Sequence, residues 1–232
     1  VLVTAAVAPA SASGLRVEPV LLDMNAPQAA GILTLRNNKD AGVSVQTRVF
    51  RWTQENGTEH LEPATGVAAS PPIVTLLPGG EYTVRVVRTS KTPVSREEAY
   101  RVWVDELPAS GQSSQSGVTI LLRQSIPIFF RARQVTPPQV SWSYRFDGGQ
   151  FLVTARNTGD ERLRIASMRL SDNAGRTAGF GNGLVGYVLG QSSMTFTVPN
   201  PPRGFGASGT ISVAAESNVG AVHATASLQT GP

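Results

Sequence analysis

The chain contains no cysteine. Disulfide staples, zinc–thiolate sites and thiol nucleophiles are therefore excluded. Histidine is nearly as scarce, occurring only at His60 and His223, which excludes a histidine-rich metal centre. Charge is thin as well, at 16% of residues against a usual ~25%. Lysine is almost missing: of 20 basic residues only Lys39 and Lys91 are lysines. The rest are arginines, which favour planar, bidentate pairing with carboxylates or phosphates. They are scattered rather than clustered, so the formal charge of +4 does not form a nucleic-acid footprint. After the opening residues, no apolar run approaches the ~18 residues that a membrane-spanning helix needs.

What the chain does have is glycine and proline, 23 and 16 of its 232 residues, with 41% apolar residues. Such a chain buries a sizeable core but interrupts it with many turns. A disordered tail, a coiled coil and a helical bundle are excluded. The opening Val1–Ala8 run, then Pro9 and the small-x-small triplet Ala10-Ser11-Ala12, follow the pattern of an export signal and its cleavage site. With no Met or basic start before it, residues 1–13 are expected to be the remainder of that signal, with the mature, exported chain beginning near Ser13. The bland alternative is a frayed, alanine-rich terminus.

Beyond Gly14 the hydrophobic period is two. Thr83–Arg88, Tyr100–Asp105 and Val43–Trp52 alternate as half-buried strands do. Turn chemistry falls between them, at Asn37-Asn38-Lys39-Asp40, Asn56-Gly57 and Pro78-Gly79-Gly80. Seven strands are predicted, near 15–22, 29–37, 43–53, 72–77, 81–88, 98–107 and 117–131. Seven short antiparallel strands in such a length describe an immunoglobulin-like sandwich. The segment Gln134–Pro138 reads as a stiff, extended link. A second sandwich follows, with strands near 139–146, 150–157, 161–170, 184–189, 193–198, 209–216 and 221–228. The fold class is all-β, two immunoglobulin-like β-sandwich domains in tandem, 14–133 and 134–232.

Val118–Phe130 departs from ordinary strands. Val118, Ile120 and Leu122 project to one face and Thr119, Leu121 and Arg123 to the other, so both faces begin apolar. Two readings stand: a central strand buried on both sides, or an edge kept apolar for a partner that takes it up by strand addition. The polar segment Ala109–Gly117 just before it is either a loop that orders with that partner or a long hairpin connection.

At this point an ordered set of motifs carries a resemblance. Ser70-Pro71-Pro72-Ile73, Leu77-Pro78-Gly79-Gly80, Val84-Arg85-Val86, Ser95-Arg96-Glu97-Glu98-Ala99-Tyr100-Arg101, Glu106-Leu107-Pro108 and Ile126-Pro127-Ile128-Phe129-Phe130-Arg131 resemble the periplasmic pilus-assembly chaperones of the chaperone-usher pathway. The likeness is greatest to the archaic type, which serves spore-coat-U-like pilus subunits. It covers nearly the whole chain after the signal. It implies a periplasmic, non-enzymatic assembly factor without cofactor or metal and without stable membrane insertion. Such a protein holds an incomplete immunoglobulin-like subunit by donor-strand complementation and delivers it to an outer-membrane usher.

Carried over by position, the donor strand is 117–130, with Val118, Ile120, Leu122, Gln124 and Ile126 as subunit-facing residues. An apolar edge of this kind also opens a route to self-association. The resemblance further implies two basic residues that anchor the subunit's terminal carboxylate, but the matching positions hold Leu21 and Pro127. Arg88 is the candidate replacement, with Arg16 and Arg123 behind it. Arg85, Glu97 and Arg131 match an interdomain charge cluster, whose acidic member from domain two would fall near Asn218, with Glu216 close by. A two-domain surface adhesin or structural pilus protein is the alternative function.

Enzyme signatures are weak. His60 reads as a solvated loop residue beside Glu59 and Glu62, and His223 lies in a predicted strand. Gly179-Phe180-Gly181-Asn182-Gly183 has no following Lys-Ser/Thr or helix, so it reads as a loop rather than a phosphate cradle. Asp172-Asn173-Ala174-Gly175 lacks the acidic spacing of a calcium loop. Trp52, Trp103 and Trp142 fall in strand patterns and are expected in the core.

Overall fold

The computed structural model describes residues 14–108, 120–207 and 209–229. Those residues form eighteen strands and no helix. The first ten are β1 (Leu15–Glu18), β2 (Leu22–Asn25), β3 (Ala30–Asn37), β4 (Val43–Glu55), β5 (Thr58–Pro63), β6 (Val67–Ser70), β7 (Ile73–Leu76), β8 (Glu81–Arg88), β9 (Glu98–Glu106) and β10 (Arg123–Arg131). They make two sheets, one in the order β1-β3-β8-β6 and one in the order β2-β10-β9-β4-β5 with β7 also on β4. Leu33, Leu35, Val84 and Val86 of the first sheet meet Val45, Val102, Val104 and Ile128 of the second. The period-two pattern puts these β-branched and leucine side chains on one face of each strand.

The predicted first strand, 15–22, is two strands in different sheets. Pro19 has no N–H to continue a ladder, and the chain crosses there from β1 to β2. The expectation of a purely antiparallel sandwich also fails, because β2 runs parallel to β10, Leu22 opposite Ile128 through Asn25 opposite Arg131. The segment after Asn56-Gly57 is a hairpin rather than a loop. Asn56 and Gly57 take φ of 52° and 80°, the left-handed pair that a tight hairpin turn demands, and β5 folds back on β4. His60 therefore sits on a strand, hydrogen-bonded to Thr58 at 3.1 Å.

The second domain holds β11 (Val140–Asp147), β12 (Gln150–Asn157), β13 (Leu163–Asp172), β14 (Thr177–Gly179), β15 (Leu184–Val188), β16 (Ser192–Thr197), β17 (Ile211–Ser217) and β18 (Gly220–Leu228). Their order is β14-β13-β17-β18-β11-β12-β16, with β15 also on β13. Of these, β14 was not anticipated. Phe180 packs on the core just after it. Asp172 is a structural acceptor for the amides of Ala174 and Arg176 and for the Arg176 guanidinium.

Both domains turn one corner the same way. Asn37 donates its side-chain amide to the carbonyls of Ala41, Leu76 and Leu77. Asn157 donates to those of Glu161, Val188 and Leu189. In domain two the interdomain link crosses this corner, where the amides of Asp160 and Glu161 bond to the Thr136 carbonyl. Any side chain at Gly159 would collide with the Pro137 backbone there.

The domains dock through a buried aromatic cluster. Trp52, Ala99 and Phe129 of domain one meet Tyr187 and Leu189 of domain two, with ring centroids 5.5–5.8 Å apart. Gln54 clamps the same seam, donating to the Tyr187 carbonyl and accepting from the Leu189 amide, each at 2.8 Å. Beside it lies a charge network. The Arg162 guanidinium, 4% exposed, pairs with Glu97 and, at 2.6 Å, with Asp23, and it stacks 3.7 Å over Phe129. The Arg162 amide also donates to Glu97. Burial pushes the Glu97 carboxyl above its usual range, more than Arg162 pulls it down.

One residue on from Glu97, Glu98 is gripped by Arg88 with two bonds of 2.9 and 2.8 Å, and Arg88 also donates to the Ser90 carbonyl. Burial alone would raise Glu98, but the bonds and charge of Arg88 with the Tyr100 hydroxyl outweigh it and hold the carboxyl below its usual range.

Two predictions follow from this packing. Arg162→Ala leaves the buried Glu97 unpaired and should cost about 3–5 kcal/mol, read as a lower denaturant midpoint. Glu97→Leu with Arg162→Met removes both charges and should cost less than Arg162→Ala alone. Glu98, depressed in the folded state, stabilises above the ordinary Glu value of about 4.3, and that contribution is lost as pH falls through its lower folded value. In thermal melts from about pH 6 to about pH 3, Glu98→Gln should flatten the acid decline.

Candidate binding site

The strand β10 is paired along its whole length on one side only. Against β9 it runs from Arg123 opposite Asp105 to Phe130 opposite Glu98. On its other side β2 begins only at Ile128, so among the described residues no strand covers Arg123–Pro127. Facing this gap is β1, which pairs with β3 alone. A groove of about 550 Å³ runs between the two edges, lined by Leu15–Glu18 on one side and Leu122–Gln124 on the other. The sandwich is open along this seam because the chain changed sheets at Pro19.

The ladder with β9 continues one bond beyond β10, from the Glu106 amide to the Leu122 carbonyl at 2.9 Å. Leu121 and Ile120 then run free, 43% and 77% exposed. These are large apolar side chains held out from an unpaired edge, the arrangement that proteins ordinarily avoid. Val118 lies outside the described residues. Among the described residues, the strand within the predicted 117–130 begins at Arg123 and leaves 120–122 outside it.

The structure corrects two of the expected partner-facing residues. Ile126 is 4% exposed within the domain-one core. Gln124 reaches across the seam to donate to the Leu15 carbonyl at 2.9 Å. Both occupy the same face as Ile120 and Leu122, but the sandwich's own core extends that far along the strand and ends at Gln124.

Each expected anchor already has a carboxylate. Arg88 is held by Glu98 inside the fold, Arg16 pairs with Glu18 on the surface at 2.5 Å, and Arg123 pairs with Asp105 at 2.5 Å. Leu21 packs half-buried on the interdomain aromatic cluster, and Pro127 is buried with Arg101 as its direct neighbour across the β9–β10 ladder. Sequence reasoning missed Arg101. Its guanidinium lies 3.8 Å over the Trp52 ring and 3.7 Å from Glu59, its one carboxylate among the described residues. Burial pulls its pKa down, with the Glu59 charge opposing. The indole N–H of Trp52 is buried there without a hydrogen-bond partner among the described residues. Arg101 is therefore a half-buried guanidinium on β9 with one loose ion pair. The register of β9 against β10 is the signal that could have found it.

Of the expected interdomain charges, Glu97 and Arg131 are in place. Arg131 bonds to Asn25 at 2.8 Å and pairs with Glu161. Arg85 is not part of the cluster: it is exposed on β8 between the inward Val84 and Val86. The acid from domain two is Glu161 rather than a residue near Asn218, whose side chain caps the Arg164 amide at 2.6 Å. Asp23 and Arg162 complete the network and were not anticipated. Trp103 is not core either; it lies half-buried on the outer face of β9 between Arg48 and Arg123.

Comparison with known proteins fits this architecture. Over 94% of its length the chain superimposes on all of a chain in the CsuC–CsuE chaperone–tip adhesion subunit pre-assembly complex from archaic chaperone-usher Csu pili of Acinetobacter baumannii, with TM-score 0.71 and 21% identity. The E. coli chaperone DraB shares the fold over 93% of this chain and 96% of its own, with TM-score 0.59 and 19% identity. An uncharacterized fimbrial chaperone of Escherichia coli (strain K12), YcbF, is 27% identical over 101 residues, 43% of this chain and 42% of that relative's length. Residues 14–136 match the family of pili and flagellar-assembly chaperones, PapD N-terminal domain. That match spans more than half of the chain, and the chain belongs to this pilus-assembly chaperone family.

Proposed function

We propose that this protein is a periplasmic chaperone that captures an incomplete immunoglobulin-like pilus subunit by lending it a strand, and passes it to an outer-membrane usher. The observation that carries the reading is the unpaired edge at Arg123–Pro127 with Leu121 and Ile120 exposed beyond it. A subunit lacking a strand exposes unpaired main-chain groups and apolar core. The segment 117–130 offers main-chain partners from its open edge and side chains from Ile120 and Leu122, with Val118 next in the alternation. Each buried aliphatic side chain contributes about 1.5–3 kcal/mol before ordering costs. That is enough to hold a client and little enough for a better-fitting strand to displace it. In this reading residues 1–13 are the end of an export signal, 14–133 form the donor domain and 134–232 the second sandwich.

Arg101 takes over the role expected at Pro127. It stands one strand away in register, beside the interdomain aromatic cluster, with a single ion pair of 3.7 Å to Glu59. A subunit's terminal carboxylate set there would satisfy the guanidinium and fix how far its last strand runs along β10.

Co-expression with the secreted β-rich proteins encoded beside it, followed by affinity purification, tests the donor edge. Ile120→Asp with Leu122→Asp should leave the melting temperature near wild type and lower client yield at least about tenfold; wild-type yield would overturn the reading. Arg101→Gln should weaken capture several-fold where Arg16→Gln does not. A client lengthened by one C-terminal glycine should lose that sensitivity to Arg101→Gln. Equal effects of Arg101→Gln and Arg16→Gln would remove Arg101 from the site.

A further inference from the structure

The donor segment leaves the sandwich at a point gripped from both faces. On the outer face Asp105, 7% exposed, stands directly opposite Arg123 across the β9–β10 ladder. It accepts from Arg123 Nε at 2.5 Å and from Arg48 Nη2 at 2.6 Å. Both guanidiniums lie over the Trp103 ring, Arg123 at 4.0 Å and Arg48 at 5.5 Å, and Phe50 packs on that ring with centroids 4.2 Å apart. On the inner face Gln124 is tied to Leu15. Two residues out from Gln124 lies the last ladder bond among the described residues, from the Glu106 amide to the Leu122 carbonyl, and beyond it Leu121 and Ile120 are exposed.

From this arrangement we propose that Asp105 is a positioning residue for strand donation. With Arg48, Arg123 and Trp103 it fixes the root of the donor segment, and so the register and exit direction of Leu122 and Ile120. The inference rests on the donor-strand reading above. The physical argument concerns an unpaired edge. A strand held on one side only frays from its free end, because nothing offsets the entropy of its terminal residues. A bidentate carboxylate shared by guanidiniums on two neighbouring strands, backed by an aromatic plate, stops the fraying at Arg123. Burial alone would push the Asp105 carboxyl up, but the bonds and charges of Arg123 and Arg48 outweigh it and keep it ionised. Register matters because a slip of one residue would turn Ile120 and Leu122 to the other face. The clamp therefore selects which side chains a client meets without touching the client itself.

Hydrogen exchange on the free protein tests the clamp apart from any client. In Asp105→Asn, exchange of the Glu106 and Gln124 amides, which bond across the β9–β10 ladder on either side of Arg123, should speed up about tenfold, the scale of one charge-assisted hydrogen bond, while the β3 and β8 amides stay protected. Asp105→Glu should restore much of that protection. Should Asp105→Asn disturb the whole domain, Arg123→Gln, which frees only the β10 side, should reproduce the local effect. Unchanged exchange at Glu106 and Gln124 in the folded variants would overturn the proposal, as would faster exchange with client capture at wild-type level. Wild-type capture by Ile120→Asp with Leu122→Asp would instead overturn the donor-strand reading and leave the clamp standing.

Discussion

The domains meet around a guanidinium that has almost no access to water. Arg162 comes from the loop before β13, yet its partners Glu97 and Asp23 and its stacking plate Phe129 all belong to domain one. An isolated buried charge of this kind would cost several kcal/mol, so the arrangement tolerates one relative placement of the domains. Phe129 lies on β10 and Asp23 on β2, the pair that closes the lower half of the seam. The contact that fixes the domains therefore also fixes where the seam stops being closed and the open edge begins. The setting of Arg101 depends on it as well, since Trp52 lies under Arg101 and packs against Tyr187 of domain two.

Edge management accounts for much of the rest. Naturally occurring sandwiches blunt their edges with charge, proline or cover. Here β1 carries Arg16 and Glu18 outward, Pro127 takes one N–H donor off β10 without breaking the strand, and Gln124 spans the seam with a side chain in place of a strand. Above Gln124 these devices stop among the described residues, and the apolar residues begin. One strand face thus changes character along its length: Ile126 fills the protein's own core, Leu122 is half-buried and Ile120 is exposed.

Most of the fold was legible because it is written locally. Alternation marked the strands, and Asn-Gly and Pro-Gly-Gly marked turns; the two-domain, all-β architecture followed from their number and spacing. What escaped depends on distant registers. Leu15–Leu22 reads as one strand, and only the two sheets that receive it show that Pro19 divides it. Arg88 and Arg101 both fall in alternating runs, and nothing local says that one is locked to Glu98 by two hydrogen bonds while the other meets Glu59 only at 3.7 Å. Trp103 follows a strand pattern as Trp52 does, but one faces a second domain and the other faces solvent between two arginines. Arg162 gave no signal at all, since its meaning lies in residues 65 and 139 positions away.

The asparagines at the two matching corners carry a chemical consequence. Asn37 and Asn157 each aim one NH₂ group at three backbone carbonyls. Deamidation would replace that nitrogen with an oxygen, setting a negative acceptor against three other acceptors where three hydrogen bonds had been. The folded backbone around each asparagine resists that reaction, and so the corners guard themselves while the domains stay closed. Ageing would begin in whichever domain opens more often. At Asn157 the damage would not stay local, because the same turn carries Glu161 and Arg162 to the interface.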